Sequence, residues 1–240
     1  MTIKNMSYRP QFLDRFAIML EGGQLEKLSS FRILVVGVGG VGSAVAHMLV
    51  RSGVNNIAIL DFDKIDITNV NRQMVAYQSN IGELKVDALY NQLKDINPSV
   101  NLTKYNIKID DDTIHSIDLN NFDYIIDCID DLNAKKLLIK RAYENNTPII
   151  SAMGAGNRYQ GIPSFEIADI SKTEYDPIAK ILRKYCKQEG INKLQVCYTK
   201  QKAMKFDCKI IGSVVYYVVN MATIICSKVI NDILRSNQEV

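Results

Sequence analysis

Apolar residues along the chain recur with two different periods, and the switches between them mark out the elements. Residues 33–36, 57–60 and 124–126 are short apolar runs rich in β-branched side chains, which predicts strands buried on both faces of a parallel sheet. After the first run the spacing lengthens: Val41, Val45, Met48 and Leu49 fall on one side of a helix. Leu84, Ala88, Leu89 and Leu93 do the same over residues 82–96, where Asn97-Pro98 ends the pattern. Further helices are expected at 132–144, with Asp131 as a candidate N-cap, and at 176–187, where Asp176 precedes Pro177 in the order of an N-cap and a first helical position. Strands at 102–105, 148–152 and 164–170 and a short helix at 112–117 complete the alternation. Together they predict an α/β fold, a Rossmann-like, doubly wound, mostly parallel sheet with helices on both faces.

Three stretches stand outside this alternation. Residues 10–30 read as a helical N-terminal arm, with Pro10 in its first turn, Phe12, Phe16, Met19 and Leu20 on one apolar face, Arg15 on the other, and Gly22-Gly23 as its stop. Residues 64–79 are polar and rich in Asn, too irregular for a helix and too long for a simple turn, which points to a functional crossing loop. Residues 210–227 carry no charge over 18 positions, long enough to raise a transmembrane reading. Ser213, Asn220 and Thr223 weaken that reading, and Lys228, Asp232 and Arg235 resume an amphipathic period, so a terminal core helix is expected and membrane contact is not.

Composition narrows the class. The 240 residues contain no linker, low-complexity tract or repeat, so one domain over 1–240 is expected. Five cysteines without a C-x-x-C pair or a nearby histidine support neither structural zinc nor a disulfide framework, and reduced cytoplasmic thiols are the default. The N-terminus lacks the apolar core of a signal peptide. His47 falls inside a sheet helix and His115 in a short surface helix, so no Ser-His or Cys-His constellation is expected. A net charge of +3 is too small to imply a polyanion partner, but nine basic residues against two acidic ones lie between 180 and 209. Part of that bias is a solvated helix face; its continuation through the next strand and loop suggests a phosphate-tracking surface at Lys200, Lys202 and Lys205, with Tyr185 and Tyr198 available for stacking.

The strongest chemical signal is the order strand, glycine turn, helix, strand, acid. Gly37, Gly39 and Gly42 fit G-x-G-x-x-G, with Gly40 between them, and Asp61 stands at the end of the second strand, where a carboxylate can accept from ribose hydroxyls. This pattern serves an NAD enzyme and an ATP-dependent adenylating enzyme alike. What separates them is phosphate neutralisation, since a triphosphate under attack needs fixed cations, a metal, or both. Arg72 and Lys85 supply cations; Lys85 lies in a first helical turn, where the dipole disfavours it and an anionic partner would explain it. Asp130, with Asp63 as a second candidate, could hold magnesium, which usually takes only one or two carboxylates.

GVGGVG at 37–42, DFD at 61–63, NVNRQ at 69–73, GELKVDAL at 82–89 and DCIDD at 127–131 resemble, in order and spacing, the ThiF/MoeB-type adenylating family related to ubiquitin-activating enzymes. The resemblance covers about residues 10–155 and divides the domain into a nucleotide-binding core there and a substrate-side and C-terminal extension at 156–240. It implies ATP held by Gly39, Asp61, Asn69, Arg72, Lys85 and Asp130, in a homodimer whose arm carries Arg15 into the partner's site. SAMGAGNRYQG at 151–161, FEIADISKTEYDPIAKILRK at 165–184 and DCKIIGS at 207–213 resemble the tRNA threonylcarbamoyladenosine dehydratases of that family. That implies adenylation of the threonyl carboxylate on a tRNA adenosine, then ring closure with loss of water. A substrate that carries its own nucleophile needs no enzyme nucleophile. The competing enzyme reading is adenylation of the C-terminus of a ubiquitin-like or sulfur-carrier protein, and a cysteine-desulfurase or sulfur-acceptor system stands as a candidate partner. From another class come a non-catalytic nucleotide sensor and a membrane-tethered adaptor.

Overall fold

The computed structural model describes residues 10–236. Residues 1–9, on which much of the reading of the N-terminus rests, lie outside them. The described residues form a seven-stranded sheet in the order β3-β2-β1-β4-β5-β7-β6, with β1 at Arg32–Val36, β2 at Asn56–Leu60, β3 at Asn101–Tyr105, β4 at Tyr124–Asp127, β5 at Ile149–Ala152, β6 at Glu166–Asp169 and β7 at Gln195–Tyr198. All neighbours are parallel except β6, which runs antiparallel on the β7 edge.

The apolar runs are continuous because each strand feeds two cores. In β1, Ile33 and Val35 belong to one apolar cluster while Leu34 and Val36 belong to the opposite one; in β2, Ile57 and Ile59 are divided from Ala58 and Leu60 in the same way. Alternate side chains of a strand point to opposite faces, so a strand covered by helices on both sides has no polar positions to spare. The first cluster is covered by α3 (Gly40–Arg51), α4 (Lys85–Ile96) and α7 (Val215–Arg235), the second by α5 (Leu132–Glu144). A third cluster lies beneath α6 (Pro177–Gln188), which Asp176 caps by accepting from Ala179 N.

Several expectations are corrected. The arm is two short pieces: residues 11–17, made of a 3-10 turn and α1 (Asp14–Ala17), and then α2 (Gln24–Ser30), separated by Gly22-Gly23. Its inward residues are Leu13, Leu25 and Leu28, with Phe16 and Leu20 partly buried, while Phe12 and Met19 are exposed. Before Gly22-Gly23 the chain is α-helical only from Asp14 to Ala17, behind a 3-10 turn at Gln11–Leu13, so a face counted at α-helical spacing from Phe12 to Leu20 is not kept. The helix expected at 112–117 shrinks to a 3-10 turn at Ile114–Ser116. The helix expected from 82 starts at Lys85, because residues 82–84 are spent on a turn tied to Ile65.

α7 is long and apolar enough to cross a membrane by length and composition. Its face of Tyr217, Met221, Ile225, Val229 and Ile233 is buried, packed most extensively on α3 and also on β5, β6 and β7. The charge-free run is thus divided: residues 215–227 belong to a helix with one face in the core, while Ile210 and Ile211 before it and Val215 and Tyr216 in its first turn are exposed.

Candidate active site

In the sheet order, the chain leaves β1 toward β2 and β3 and returns to the other side of β1 at β4, which puts the topological switch between β1 and β4. The carboxyl ends of these strands touch: Cys128 N donates to Val36 O at 2.8 Å, and a Cβ on Gly37 would lie 2.8 Å from Cys128 O. Gly37 is therefore required by packing as well as by its φ of +81°. Gly42 is required because a Cβ there would lie 1.9 Å from Gly37 O, and a Cβ on Gly40 would press on Val218 and on Arg72 O. Gly39 differs. Its Cβ would meet only the Gln73 side chain, at an ordinary 3.7 Å, so no close packing within the protein accounts for a glycine there, and the approach of a ligand would.

Asp61, at the end of β2, is buried and already engaged. Val38 N donates to its Oδ2 at 2.8 Å and Asp63 N to its Oδ1 at 2.9 Å, so this carboxylate also sets the shape of the glycine turn. Burial pushes its carboxyl above the usual carboxylate range, opposed by the positive field of Lys85 and by the two backbone donors.

The loop after Asp61 is laced to the start of α4: Ile65 N donates to Glu83 O, Gly82 N to Ile65 O and Lys85 N to Asp63 O. That lacing buries Lys85 and sets its ammonium 2.7 Å from Asp63 Oδ2. The anionic partner expected for Lys85 is therefore Asp63, and the second candidate for the metal is taken up by a cation. Asn69 is buried at the end of a 3-10 turn (Ile67–Asn69), where its Oδ1 accepts from Asp66 N. Arg72 follows, with Nη1 held by Thr68 O at 2.6 Å and Asn71 Oδ1 at 3.1 Å. Asn71 in turn donates to Ser213 O at 2.9 Å and ties this loop to the approach of α7.

Asp130 is exposed on the turn after β4. Among the described residues no three His, Cys, Asp or Glu side chains gather where they could hold a metal, so a cation here would take one carboxylate and fill its sphere with phosphate oxygens and water. Magnesium accepts that arrangement.

The structure does not bring Arg15 to the glycine turn of its own chain. It is exposed on α1, and neighbouring Leu13 packs at Gly53, beyond the far end of α3. Of the three lysines predicted for nucleic acid, Lys200 is paired with Glu166 at 3.0 Å, Lys202 lies 5.1 Å over the exposed ring of Tyr175, and Lys205 is exposed. Tyr198 is not available for stacking: it is 1% exposed, and its hydroxyl donates to Glu166. An inward position on β7, which is paired on one side with β5 and on the other with β6, buries the ring; Tyr175 and Phe206 are the exposed aromatics beside these lysines. Tyr185 is half-buried, with the Lys136 ammonium 5.7 Å from its ring centre.

Two features were missed from the sequence. Gln73, inside the NVNRQ run, is buried beside Gly39 with its Oε1 unpartnered. Lys135 and Asp127 form a fully buried ion pair beneath the Asp130 turn. Only the second left a signal: position 135 falls in helical phase with Leu138, Ile139 and Ala142, so the pattern puts a charge on a core-facing stripe.

A ThiF family model matches residues 10–238. The tRNA threonylcarbamoyladenosine dehydratase of Bacillus subtilis is 41% identical over 189 residues, 78% of this chain and 73% of that protein. The Escherichia coli protein of the same name is 32% identical over 69% of this chain and 61% of its own length. Among solved structures, the E. coli dehydratase TcdA in complex with ATP superposes with a TM-score of 0.85 at 25% identity, covering 96% of this chain and 97% of that one.

Proposed function

This chain belongs to the ThiF family, and from that premise we propose that it is an ATP-dependent tRNA threonylcarbamoyladenosine dehydratase working through a carboxyl-adenylate. The observation that carries the reading is the set of loops that follow the carboxyl ends of β1, β2 and β4. It combines a glycine turn open at Gly39, the ion-paired Lys85, the doubly held Arg72 and the exposed Asp130.

The roles follow from charge and position. Backbone N–H groups of 39–42 at the start of α3 receive phosphate oxygens, and Asp61 accepts from ribose. Arg72 and Lys85 meet the charge that develops as the substrate carboxylate attacks the α-phosphorus and pyrophosphate leaves, with Thr68 and Asn71 holding Arg72, Asp63 holding Lys85, and Asn69 on the same loop facing the nucleotide. Asp130 holds magnesium, which when bound supplies Lewis-acid stabilisation of the phosphates. A nucleophilic atom of the same substrate then attacks the acyl carbon, the acyl–phosphate bond breaks and AMP leaves, so ring closure is intramolecular. The chain works as a cytoplasmic homodimer in which Arg15 completes the partner's site, and tRNA phosphates lie along Lys202 and Lys205. Exposed Phe12, Ile18 and Met19 on the arm support its burial against a second copy.

Four of the five thiols favour this reading over thioester or persulfide transfer to a carrier protein; Cys208 is exposed on the loop before α7. Burial raises Cys128, the cysteine beside the glycine turn, well above its ordinary range, and pushes Cys186 up to about 11 and Cys197 and Cys226 up to about 12. The deciding experiment incubates the protein with ATP and magnesium and either tRNA bearing threonylcarbamoyladenosine or a sulfur-carrier protein, and follows AMP. AMP release only with tRNA is expected; release only with the carrier would overturn the proposal.

A further inference from the structure

Below the turn that carries Asp130 lies a network the reaction as described does not use. Lys135, in the first turn of α5, and Asp127, the last residue of β4, are both 0% exposed. Lys135 Nζ donates to Asp127 Oδ2 at 2.8 Å, to Ser151 Oγ at 3.1 Å and to Ala152 O at 3.1 Å, so all three of its protons are used. Ser151 Oγ donates to the same carboxylate oxygen at 2.6 Å, and Ile129 N donates to the other at 3.1 Å.

Stability is a poor reason for such a group. A buried ion pair loses on desolvation much of what it gains in attraction, and well-packed apolar residues do as well. The cation also stands where the α5 dipole disfavours it. Its placement offers a better reason. The bond from Ile129 N to Asp127 turns the chain just before Asp130, and Cys128 fastens the same turn to β1 through Val36 O. Ser151 and Ala152 belong to β5, so the ammonium binds the ends of β4 and β5 together under that turn. It also neutralises a carboxylate three positions from Asp130, which would otherwise repel a triphosphate and compete for its cation.

We propose that Lys135 is a positioning residue that acts through Asp127 to aim Asp130 at the magnesium of bound ATP. The inference rests on the adenylation reading and on the role given there to Asp130. Its test measures ATP binding by calorimetry, with magnesium and with EDTA, in the absence of tRNA. The full chain is compared with Lys135→Met/Asp127→Leu, Ser151→Ala and Asp130→Asn. The double variant replaces the pair by apolar residues and avoids a lone buried charge. It is expected to fold and to lose at least about tenfold in ATP affinity with magnesium, the usual scale for groups that orient a metal ligand, while its affinity in EDTA matches the parent's. Ser151→Ala should show a smaller loss of the same kind and carries the test alone if the double variant does not fold. A lowered melting temperature with the parent's magnesium response makes the network merely structural and overturns the proposal. Asp130→Asn separates the two layers: if it responds to magnesium as the parent does, Asp130 holds no metal, and the underlying reading fails first.

Discussion

Lys85 Nζ lies 2.7 Å from Asp63 Oδ2, with the lysine side chain 7% exposed and the carboxylate 48% exposed. The cation is thus held on its aliphatic stem while its counter-ion stays in reach of solvent. A charge fixed before substrate arrives does not have to be ordered during the reaction, which is the condition under which such groups contribute most. Lys85→Ala should lower AMP formation by about 100-fold or more with the fold intact, and Arg72→Ala by a similar factor. Asp63→Asn, which loosens the ammonium without deleting it, should cost less than Lys85→Ala. Single-turnover AMP release measures all three, and near-normal rates in both cation variants would remove the adenylation mechanism.

Arg15 lies away from its own glycine turn, so its contribution is testable in mixtures. Arg15→Ala and Lys85→Ala proteins, each inactive alone, should regain activity when mixed, since one site of the heterodimer then has both residues. A silent mixture, with subunit exchange shown by mass spectrometry, would confine Arg15 to its own subunit.

The lysines toward tRNA should be unequal. Lys200 is spent on Glu166, although an exposed ion pair of this kind contributes only about 0–1 kcal/mol. Reversing Lys200, Lys202 and Lys205 to Glu together should lower tRNA affinity at least about tenfold and flatten its salt dependence by roughly one unit per lost phosphate contact, without changing ATP affinity. Lys205→Glu alone should account for more of the loss than Lys200→Glu. Filter binding across a salt series reads both quantities, and an unchanged slope in the triple variant would move the tRNA surface elsewhere.

Acid should weaken the fold through His47. Its ring is buried in α3 with Nε2 at 2.9 Å from Gln92 Oε1, and burial holds its pKa below the ordinary 6.5. Between the lowered value and 6.5 the unfolded chain therefore binds more protons than the folded one. Stability then rises with pH across that window and falls as the solution is acidified through it. Thermal melts stepped down from neutral pH should show the loss, and His47→Gln should reduce it. Asp61, whose carboxyl burial raises, contributes the opposite slope and is left in place by that variant.

The sheet and the glycine turn were legible in the sequence because their causes are local. A strand buried on both faces has to be apolar throughout, as residues 33–36 are, and a turn as tight as 37–42 has to be glycine where carbonyls crowd it. What escaped depends on partners distant in sequence. Whether Tyr198 is a stacking platform or a buried wall depends on β7 lying inside the sheet, with β6 paired along its outer side. Whether Asp63 is a metal ligand or the partner of Lys85 depends on a loop folding back across 22 positions. The arm failed for a third reason: a 3-10 turn precedes α1 and α1 ends at Ala17, so counting one α-helical period from Phe12 to Leu20 assigns Phe12 and Met19 wrongly to the inside.

The contact between Gly40 and Val218 also sets an order of events during synthesis. The wall behind the glycine turn is a residue of α7, made long after α3 has left the ribosome. Until then the nascent chain carries the nucleotide motif on a helix whose partner face is bare, and the buried apolar residues of α3 must wait for a contact spanning most of the chain. Such distant closure is slow and leaves apolar surface open in the interval. ATP therefore finds a finished pocket only on a chain whose last described helix has already docked, and the site's assembly reports that the rest of the fold is complete.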